Sequence, residues 1–297
     1  YRIAKKEQVD VIHAHAMFFC AIAGKITSIA LNKPLIYEVR SLWEERFKDN
    51  SVFNYFIFSF VTFLETYSMF LADHLIAINK NLKTELQNRF ILKKRKITVV
   101  ENAVDLDRII TTKNARSKLV FGYIGTLSPI EGLDSLITVF KNLKIPNKLL
   151  IFGSGIEYEN LKMLSKGCEN IEFKGEVASS EIFNAYKQID VVVNARKNSY
   201  LTNSVTPLKT LEAMAYKKLV LASDVGGMKE LVKDGKTGIL FKSGSQSALE
   251  KAIRKVLDMD DLSEMIVNAY DYIHKQRNWY NNAKLYEKIY IDVKNGE

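Results

Sequence analysis

Short apolar runs rich in β-branched residues alternate with longer segments of helical period along nearly the whole chain of 297 residues. The runs are continuous rather than alternating with polar residues, which is typical of parallel strands in a sheet covered by helices on both faces. The sequence therefore predicts an α/β fold with parallel sheets. Predicted strands cover residues 9–13, 34–39, 74–78, 97–100, 120–125, 148–152, 171–173, 191–194 and 220–223.

A polar stretch at residues 111–118 separates two series of these strands, and we place a domain boundary there. The first domain, residues 1–112, holds four strands, whereas the second, residues 113–275, holds a full series. Because a βαβ unit takes roughly 30 residues, a symmetrical first domain would need about 80 more at its front. The first residue is Tyr1 rather than Met. We therefore expect the chain to begin inside a truncated N-terminal domain.

Composition narrows the class of protein. Apolar residues make up 47% of the chain, enough for two cores, and no low-complexity tract suggests disorder. The two cysteines, Cys20 and Cys168, lie far apart, which argues against a disulfide framework or a thiolate metal site. We expect a protein of a reducing compartment, the cytoplasm.

The formal charge of +9 indicates an anionic partner, although a solvated lysine-rich surface explains it equally well. The block from Lys93 to Lys96 lies between a helical segment and a strand, so a loop is expected there, where it could contact lipid phosphates. No helix-turn-helix, zinc-finger or RNA-recognition signature occurs. We expect no nucleic-acid partner.

The aromatic run at residues 53–64 is interrupted by polar residues and too short for a membrane span, which needs about 20 apolar residues. A buried helix is the interpretation we favour. The alternative is a helix facing a membrane surface.

The segment TPLKTLEAMA, residues 206–215, carries the clearest chemistry. Thr206 suits an N-cap and Pro207 the first helical position, so a helix should start here. The amides of Leu208 and Lys209 would then favour an anion such as a diphosphate. Glu212 follows on the same face, placed to accept hydrogen bonds from a ribose diol. The alternative is a capped helix with incidental charges.

The same segment, followed by VLASDVGGMKELVKDGKTGILF, resembles the donor-site signature of glycosyltransferase family 4, and the order of DVIHAH, VVENAVD, FGYIGTLSPIEGLDSLI, IFGSG, FKGEV and DVVV fits that family. YEVRSLWEE and TPLK resemble a bacterial subgroup linked to surface-polysaccharide assembly. The resemblance implies a GT-B fold, in which two facing Rossmann-like domains bind ligands in the cleft between them. It also implies that the C-terminal helix, residues 276–297, returns to the first domain.

Carried over position by position, the resemblance implies a set of site residues. Glu212 would bind the donor ribose, and the amides of Leu208 and Lys209 would hold its diphosphate. His15 would lie near the transferred sugar and take part in catalysis. The rest of the donor site would comprise Gly125 and Thr126 facing the diphosphate, Glu176 and Val177 at the base, and the turn at Gly153.

The sequence departs from the family at four positions, one of which is Ala103, where the NGVD-like turn usually has a glycine. Thr126 and Glu131 stand where many members have the Arg and Lys that neutralise the diphosphate, and Ser204 replaces the first acid of the E-x7-E pair. We expect Lys209 and Arg196 to act as replacement catalytic cations. Arg40 and Glu38 are further candidates on the acceptor side of the cleft.

The resemblance implies transfer of a sugar, with retention, from a nucleoside-diphosphate sugar to a glycan or lipid-linked acceptor in cell-surface polysaccharide synthesis. Neither a metal nor a cofactor is expected: cations and amides can stabilise the leaving diphosphate, and the acidic string at 258–261 lies in a helical stretch away from any strand end. The alternatives are a noncatalytic subunit that binds a nucleotide sugar and a GT-B nucleotide-sugar epimerase. An anionic membrane surface is a further expected partner, which would place the protein on the inner face of the membrane.

Overall fold

The computed structural model describes residues 1–47, 52–109 and 118–296. The chain divides into two compact units: the first comprises Tyr1–Asn102 with Tyr280–Glu297, and the second Ala103–Trp279. Most of the polar stretch predicted as the domain boundary, residues 111–117, lies outside the described residues.

The first unit contains a parallel sheet in the order β1-β2-β3-β4. Strand β2 is buried along its whole length, as expected of a strand covered on both faces. The strands are β1 Ile12–His15, β2 Leu35–Val39, β3 His74–Ala77 and β4 Ile97–Val99, and the helices between and before them are α1 Arg2–Lys6, α2 Phe18–Leu31, α3 Val52–Leu71 and α4 Lys80–Asn88.

The second unit continues the alternation of strands and helices. Its strands are β5 Phe121–Ile124, β6 Leu149–Phe152, β7 Ile171–Gly175, β8 Val191–Asn194, β9 Leu219–Ser223 and β10 Ile239–Phe241. Its helices are α5 Leu133–Leu143, α6 Tyr158–Leu164, α7 Ile182–Lys187, α8 Tyr200–Ser204, α9 Leu208–Ala215, α10 Gly226–Lys229, α11 Gln246–Leu257 and α12 Ser263–Gln276, and the last helix of the chain is α13 Trp279–Asn295.

The sheet of the second unit is parallel and has the order β7-β6-β5-β8-β9-β10. The direction of winding therefore reverses between β5 and β8. In doubly wound sheets, ligands bind outside the carboxyl ends of the strands at such a reversal. The residues that follow β5 and β8 are thus the first place to look for a site.

All nine predicted strands are present, and the continuous apolar runs predicted the parallel sheets correctly. The first predicted strand, 9–13, is displaced and runs from Ile12 to His15. Strand β10 was missed, because its three residues give too short a run to separate from a loop.

Two expectations about helices were wrong. The favoured buried helix at 53–64 lies in the N-terminal part of α3, whose aromatic side chains are largely exposed, so only one of its faces packs on the unit. The acidic string at 258–261 lies in the turn between α11 and α12, because α11 ends at Leu257. Within the described ranges, each helix is either too short or too polar to span a membrane.

Helix α13 packs in the first unit. Ile289 is buried with Ile36, Ile76 and Val100, and Tyr286 and Tyr290 of α13 pack against this cluster. The Asn282 side chain also donates to the Glu101 carbonyl at 2.7 Å. Core packing therefore holds Tyr286 and Tyr290, whereas Trp279 and Tyr280 are exposed.

Candidate functional site

Helix α9 starts at the carboxyl edge of the second sheet, with Pro207 at its N-cap and Leu208 as its first residue. Thr206 was predicted as the cap, which is wrong: its hydroxyl donates to the Glu230 carboxylate at 2.7 Å. No side chain of the described residues caps α9. The amides of its first turn, including those of Leu208 and Lys209, lack partners within the helix and suit an anion.

The Lys209 side chain is held beside this helix end by two groups. Its ammonium nitrogen lies 2.8 Å from a carboxylate oxygen of Glu131 and 2.7 Å from the hydroxyl of Tyr123. It also lies 4.5 Å from the centre of the Tyr123 ring, within cation–π range. Burial lowers the pKa of Lys209 from its ordinary value, and the neighbouring Glu131 opposes that shift.

Glu131 forms ion pairs with both of the predicted replacement cations, Lys209 and Arg196. Its second carboxylate oxygen lies 3.4 Å from Arg196, whose side chain is 8% exposed. The Nε and Nη1 atoms of Arg196 have no hydrogen-bond partner among the described residues. Two cations and one carboxylate leave one positive charge in excess. Arg196 is buried and pairs with Glu131, and its role as a catalytic cation stays a prediction.

Glu212 lies one turn along α9 from Lys209. The Tyr186 hydroxyl lies 3.3 Å from the Glu212 carboxylate and 3.2 Å from the Lys209 carbonyl, so it ties both residues to α7. Burial raises the pKa of Glu212, while the Tyr186 hydrogen bond and the Lys209 charge lower it. The carboxylate is thus oriented and retains capacity to accept hydrogen bonds from a diol.

The other predicted donor-site residues meet around one cavity of about 200 Å³ at the carboxyl ends of β5, β6 and β7. Gly125, Thr126, Gly153, Glu176 and Val177 all line it. The structure therefore brings together the donor-site residues of the second unit, in the cavity and at the start of α9. Their binding roles stay predictions.

Two glycines make this arrangement possible. Gly153 has φ +133°, and a Cβ there would lie 1.9 Å from the Gly125 carbonyl oxygen. Gly125 has φ +148°, and a Cβ on it would lie 2.9 Å from the Lys209 ammonium nitrogen. Both backbones can come close to each other and to the lysine only because they carry no side chain.

The first unit places His15, Glu38 and Arg40 together at the carboxyl ends of β1 and β2. Glu38 is buried, 3.1 Å from Arg40 and 3.6 Å from His15. The Tyr286 hydroxyl donates to the same carboxylate at 2.5 Å. His15 stacks on His13 with 4.0 Å between ring centres, and its side chain is about half exposed. The role of His15 in catalysis stays a prediction.

His13, His15 and Glu38 are the one set of three or more possible metal ligands found among the described residues, with ligand atoms within 4.8 Å of one another. Burial lowers the pKa of His13 to about 4, so His13 is a neutral base at pH 7. Its Nδ1 lies 2.9 Å from the Tyr290 hydroxyl. Because Glu38 already binds Arg40 and Tyr286, hydrogen bonds and an ion pair account for the cluster. The absence of a required metal stays an expectation.

The residues that contact Lys209 and Glu212 were not predicted as site residues. Glu131 was interpreted only as the loss of a family lysine, although it pairs with Lys209 and Arg196. The available signal was that Glu131 adds a carboxylate to the motifs that also hold the two expected cations, Lys209 and Arg196. Ser204, in place of the family acid, donates to the Tyr200 carbonyl at 2.8 Å inside α8. Tyr123 and Tyr186 gave no signal, since tyrosines in buried segments are ordinary core residues.

The two Rossmann-like units give the chain an α/β architecture, and comparison with solved structures shows that the fold is GT-B. Sucrose-phosphate synthase from Thermosynechococcus elongatus matches with a TM-score of 0.83 at 19% identity, over 100% of this chain and 76% of that one. HepE of Anabaena in complex with UDP matches with a TM-score of 0.76 at 21% identity, over 97% of this chain and 80% of that one.

The chain belongs to the family Glycosyl transferases group 1, whose family model matches residues 107–272. Residues 1–108 match the family model of Glycosyltransferase Family 4. It is therefore a glycosyltransferase, as the motifs indicated. An uncharacterized glycosyltransferase of Methanocaldococcus jannaschii is 27% identical over 234 residues, 74% of this chain and 58% of that protein. The capsular polysaccharide biosynthesis glycosyltransferase CapM of Staphylococcus aureus is 26% identical over 267 residues, 82% of this chain and 67% of CapM.

Proposed function

We propose that this chain transfers a sugar from a nucleoside-diphosphate sugar, with retention at the anomeric carbon, to a glycan or lipid-linked acceptor in cell-surface polysaccharide synthesis. The observation that supports binding of the donor sugar is the position of Lys209 at the uncapped start of α9, with Glu212 one turn further on. The similarity to CapM supports the polysaccharide role.

The donor diphosphate would be bound by the first amides of α9 and by Lys209. As the bond to the sugar breaks, negative charge grows on the leaving diphosphate, and fixed amide dipoles with an ammonium group stabilise it most strongly where water is excluded. Glu131 fixes the position of that ammonium group from behind, and Arg196 fixes Glu131. The protein's own cations thus supply the stabilisation that the family Arg and Lys supply elsewhere.

The nucleoside would occupy the cavity beside this point. Glu212 would accept hydrogen bonds from the ribose hydroxyls, and the backbone at Glu176 and Val177 would contact the base. The structure of HepE with UDP makes uracil the first base to test. Recognition through backbone groups fits this position, because β7 ends at Gly175 and leaves the next polar backbone groups unpaired in the sheet.

The test is calorimetric titration of the full-length protein with UDP, GDP and ADP, repeated with Glu212→Ala. We expect selective binding of one nucleotide, weakened at least about tenfold by Glu212→Ala, because a hydrogen bond to a charged group contributes about 1.5–3 kcal/mol. Glu250→Ala is the matched control, since Glu250 pairs with Arg254 on α11 away from the cavity. Binding of none of the three nucleotides, or equal effects of both substitutions, would contradict the donor-site assignment.

Transfer and its stereochemistry need their own measurement. Incubation with the matching nucleotide sugar and glycan or lipid-linked acceptors should release nucleotide and give a product with the donor's anomeric configuration, readable by NMR. An inverted product would contradict retention. Donor binding without transfer to any acceptor would favour the noncatalytic subunit.

We place the reaction in the cytoplasm, at the inner face of the membrane. Both cysteines, Cys20 and Cys168, are free thiols, as a reducing compartment allows. Fractionation of cells that express the protein should recover it with cytoplasmic and membrane fractions, and recovery from the medium alone would contradict the placement.

A further inference from the structure

Helix α3 carries a continuous aromatic stripe on its exposed side. Its six members follow one another at intervals of three and four residues, so they lie along one face of the helix. Between 46% and 72% of each side chain is exposed. We name as the aromatic stripe the residues Phe53, Phe56, Phe60, Phe63, Tyr67 and Phe70.

The face that holds α3 to its unit is a different one. The buried residues of α3 are Val61, Glu65, Ser68 and Met69, displaced by more than a quarter turn from the stripe. Glu65 is the only charged residue of α3, and it is buried, accepting hydrogen bonds from the Phe18 amide and the Tyr37 hydroxyl. The exposed side of this 20-residue helix therefore carries no charge, whereas the exposed side of a helix on a water-facing surface is normally polar.

A basic turn lies against the same helix. Lys93, Lys94 and Lys96 are exposed, and Phe90, at the start of the turn, is 91% exposed. Two arginines, one before these lysines and one among them, tie the segment to α3 and its end. Arg89 donates to the Thr66 hydroxyl at 2.8 Å, and Arg95 donates to the Ala72 carbonyl just beyond the helix.

The composition of the stripe decides between possible occupants. A partner helix in a coiled coil packs best against Leu, Ile or Val, flanked by charged residues that set its register. The stripe instead has only Phe and Tyr, with no flanking charge on the helix. Helices that lie at a membrane surface carry residues such as Phe on their apolar face, Tyr favours the headgroup level, and nearby lysines are attracted to anionic headgroups.

We infer that the aromatic stripe and the basic turn together form a membrane-binding surface of the first unit, which inserts its rings into the headgroup boundary of an anionic lipid bilayer. Helix α3 would lie in the plane of that boundary, as amphipathic helices on membranes do. The inference does not depend on donor binding, which concerns the second unit.

The test is cosedimentation of the full chain with vesicles of phosphatidylcholine alone and of phosphatidylcholine mixed with phosphatidylglycerol. We expect binding to the mixed vesicles that falls with added salt, since lysine–headgroup attraction is screened. Lys93→Ser, Lys94→Ser and Lys96→Ser together should lower the partition coefficient about fivefold per lysine. The charge-matched control is Lys233→Ser, Lys236→Ser and Lys251→Ser, three exposed lysines of the second unit, which should leave it unchanged.

A second variant tests the aromatic stripe and combines Phe56→Ser, Phe60→Ser and Phe63→Ser. We expect at least about a 30-fold loss of partitioning to mixed vesicles, because binding scales with the apolar area inserted. The control is Ile156→Ser, Met163→Ser and Val267→Ser, exposed apolar residues of the second unit. All replaced side chains are exposed, so circular dichroism and Tm should match the parent.

Three outcomes would overturn the inference. The parent chain could remain in the supernatant with both vesicles. The aromatic variant could cosediment as the parent does. The aromatic variant could instead change the oligomeric state in analytical ultracentrifugation with vesicle binding unaltered, which would assign the stripe to a second copy of this chain.

Discussion

Each unit of this glycosyltransferase holds a buried glutamate near the carboxyl ends of its strands, but the two are compensated differently. In the first unit, Glu38 faces Arg40, the Tyr286 hydroxyl and two histidines, of which His13 is neutral at pH 7 because burial lowers its pKa to about 4. In the second unit, Glu131 lies between Lys209 and Arg196.

The difference gives the two clusters different charge. The carboxylate of Glu38 and the guanidinium of Arg40 offset each other, whereas Lys209 and Arg196 exceed Glu131 by one positive charge before the neighbouring Glu212 carboxylate is counted. The second cluster also lies beside uncapped amides at the start of α9, which add to its attraction for anions. A diphosphate therefore suits the second unit, and we expect an uncharged, hydroxyl-bearing ligand to suit the first.

The largest expected effect comes from removing each central glutamate. Glu131→Ala leaves two buried cations without their carboxylate, which should lower the free energy of unfolding by about 3–5 kcal/mol. Glu38→Ala leaves one cation without its carboxylate, Arg40, which is more than a third exposed. It should lower the free energy of unfolding by about 1–2 kcal/mol, mainly through lost hydrogen bonds. Urea unfolding of both variants checks the order, and equal losses would contradict the difference in compensation.

The next effect concerns the cations. Lys209→Ala should weaken UDP binding about 10- to 100-fold, because it removes a charged contact worth about 1.5–3 kcal/mol. Arg40→Ala, which removes a cation from the first unit, should leave UDP affinity unchanged. Calorimetric titration of both variants tests this, and a loss on Arg40→Ala as large as that on Lys209→Ala would refute the assignment of the diphosphate to the second cluster.

A smaller effect is expected from Glu65, which differs from Glu38 and Glu131 in its partners. It accepts hydrogen bonds from the Phe18 amide and the Tyr37 hydroxyl. Burial raises the pKa of Glu65 from 4.5 to about 7. The folded chain therefore binds more protons than the unfolded chain in that window, so stability falls as pH rises through it. Glu65→Gln should remove this pH dependence, because the amide does not titrate. Thermal unfolding from pH 4 to 8 compares it with the parent, and parallel Tm profiles would show that Glu65 does not titrate as described.

The smallest expected effect is that of metal removal. Since the second cluster supplies its own cations, EDTA should leave UDP affinity unchanged within error. The same treatment tests whether His13, His15 and Glu38 need an ion, because zinc loss would then lower Tm. A fall in affinity restored by Mg²⁺ would show that Lys209 and Arg196 do not suffice.

Much of the fold could be read from the sequence, because each buried parallel strand leaves a continuous apolar run such as 191–194, which matches β8 residue for residue. The start of α9 was also predictable within one residue, since Pro207 marks it. The cap itself was not, because the Thr206 hydroxyl reaches Glu230, which is 24 residues away in sequence. A pattern of local preferences contains no information about such a partner.

The sequence by itself determined the parallel α/β architecture and the family, because period, turn residues and ordered motifs are local properties of the chain. Only the tertiary structure decided that Glu131 binds the cations expected to replace the family pair, and that α3 leaves its aromatic stripe exposed. Both depend on which side chains are brought together from distant segments. Burial and pairing of charge are properties of that packing, and a single residue's identity does not fix them.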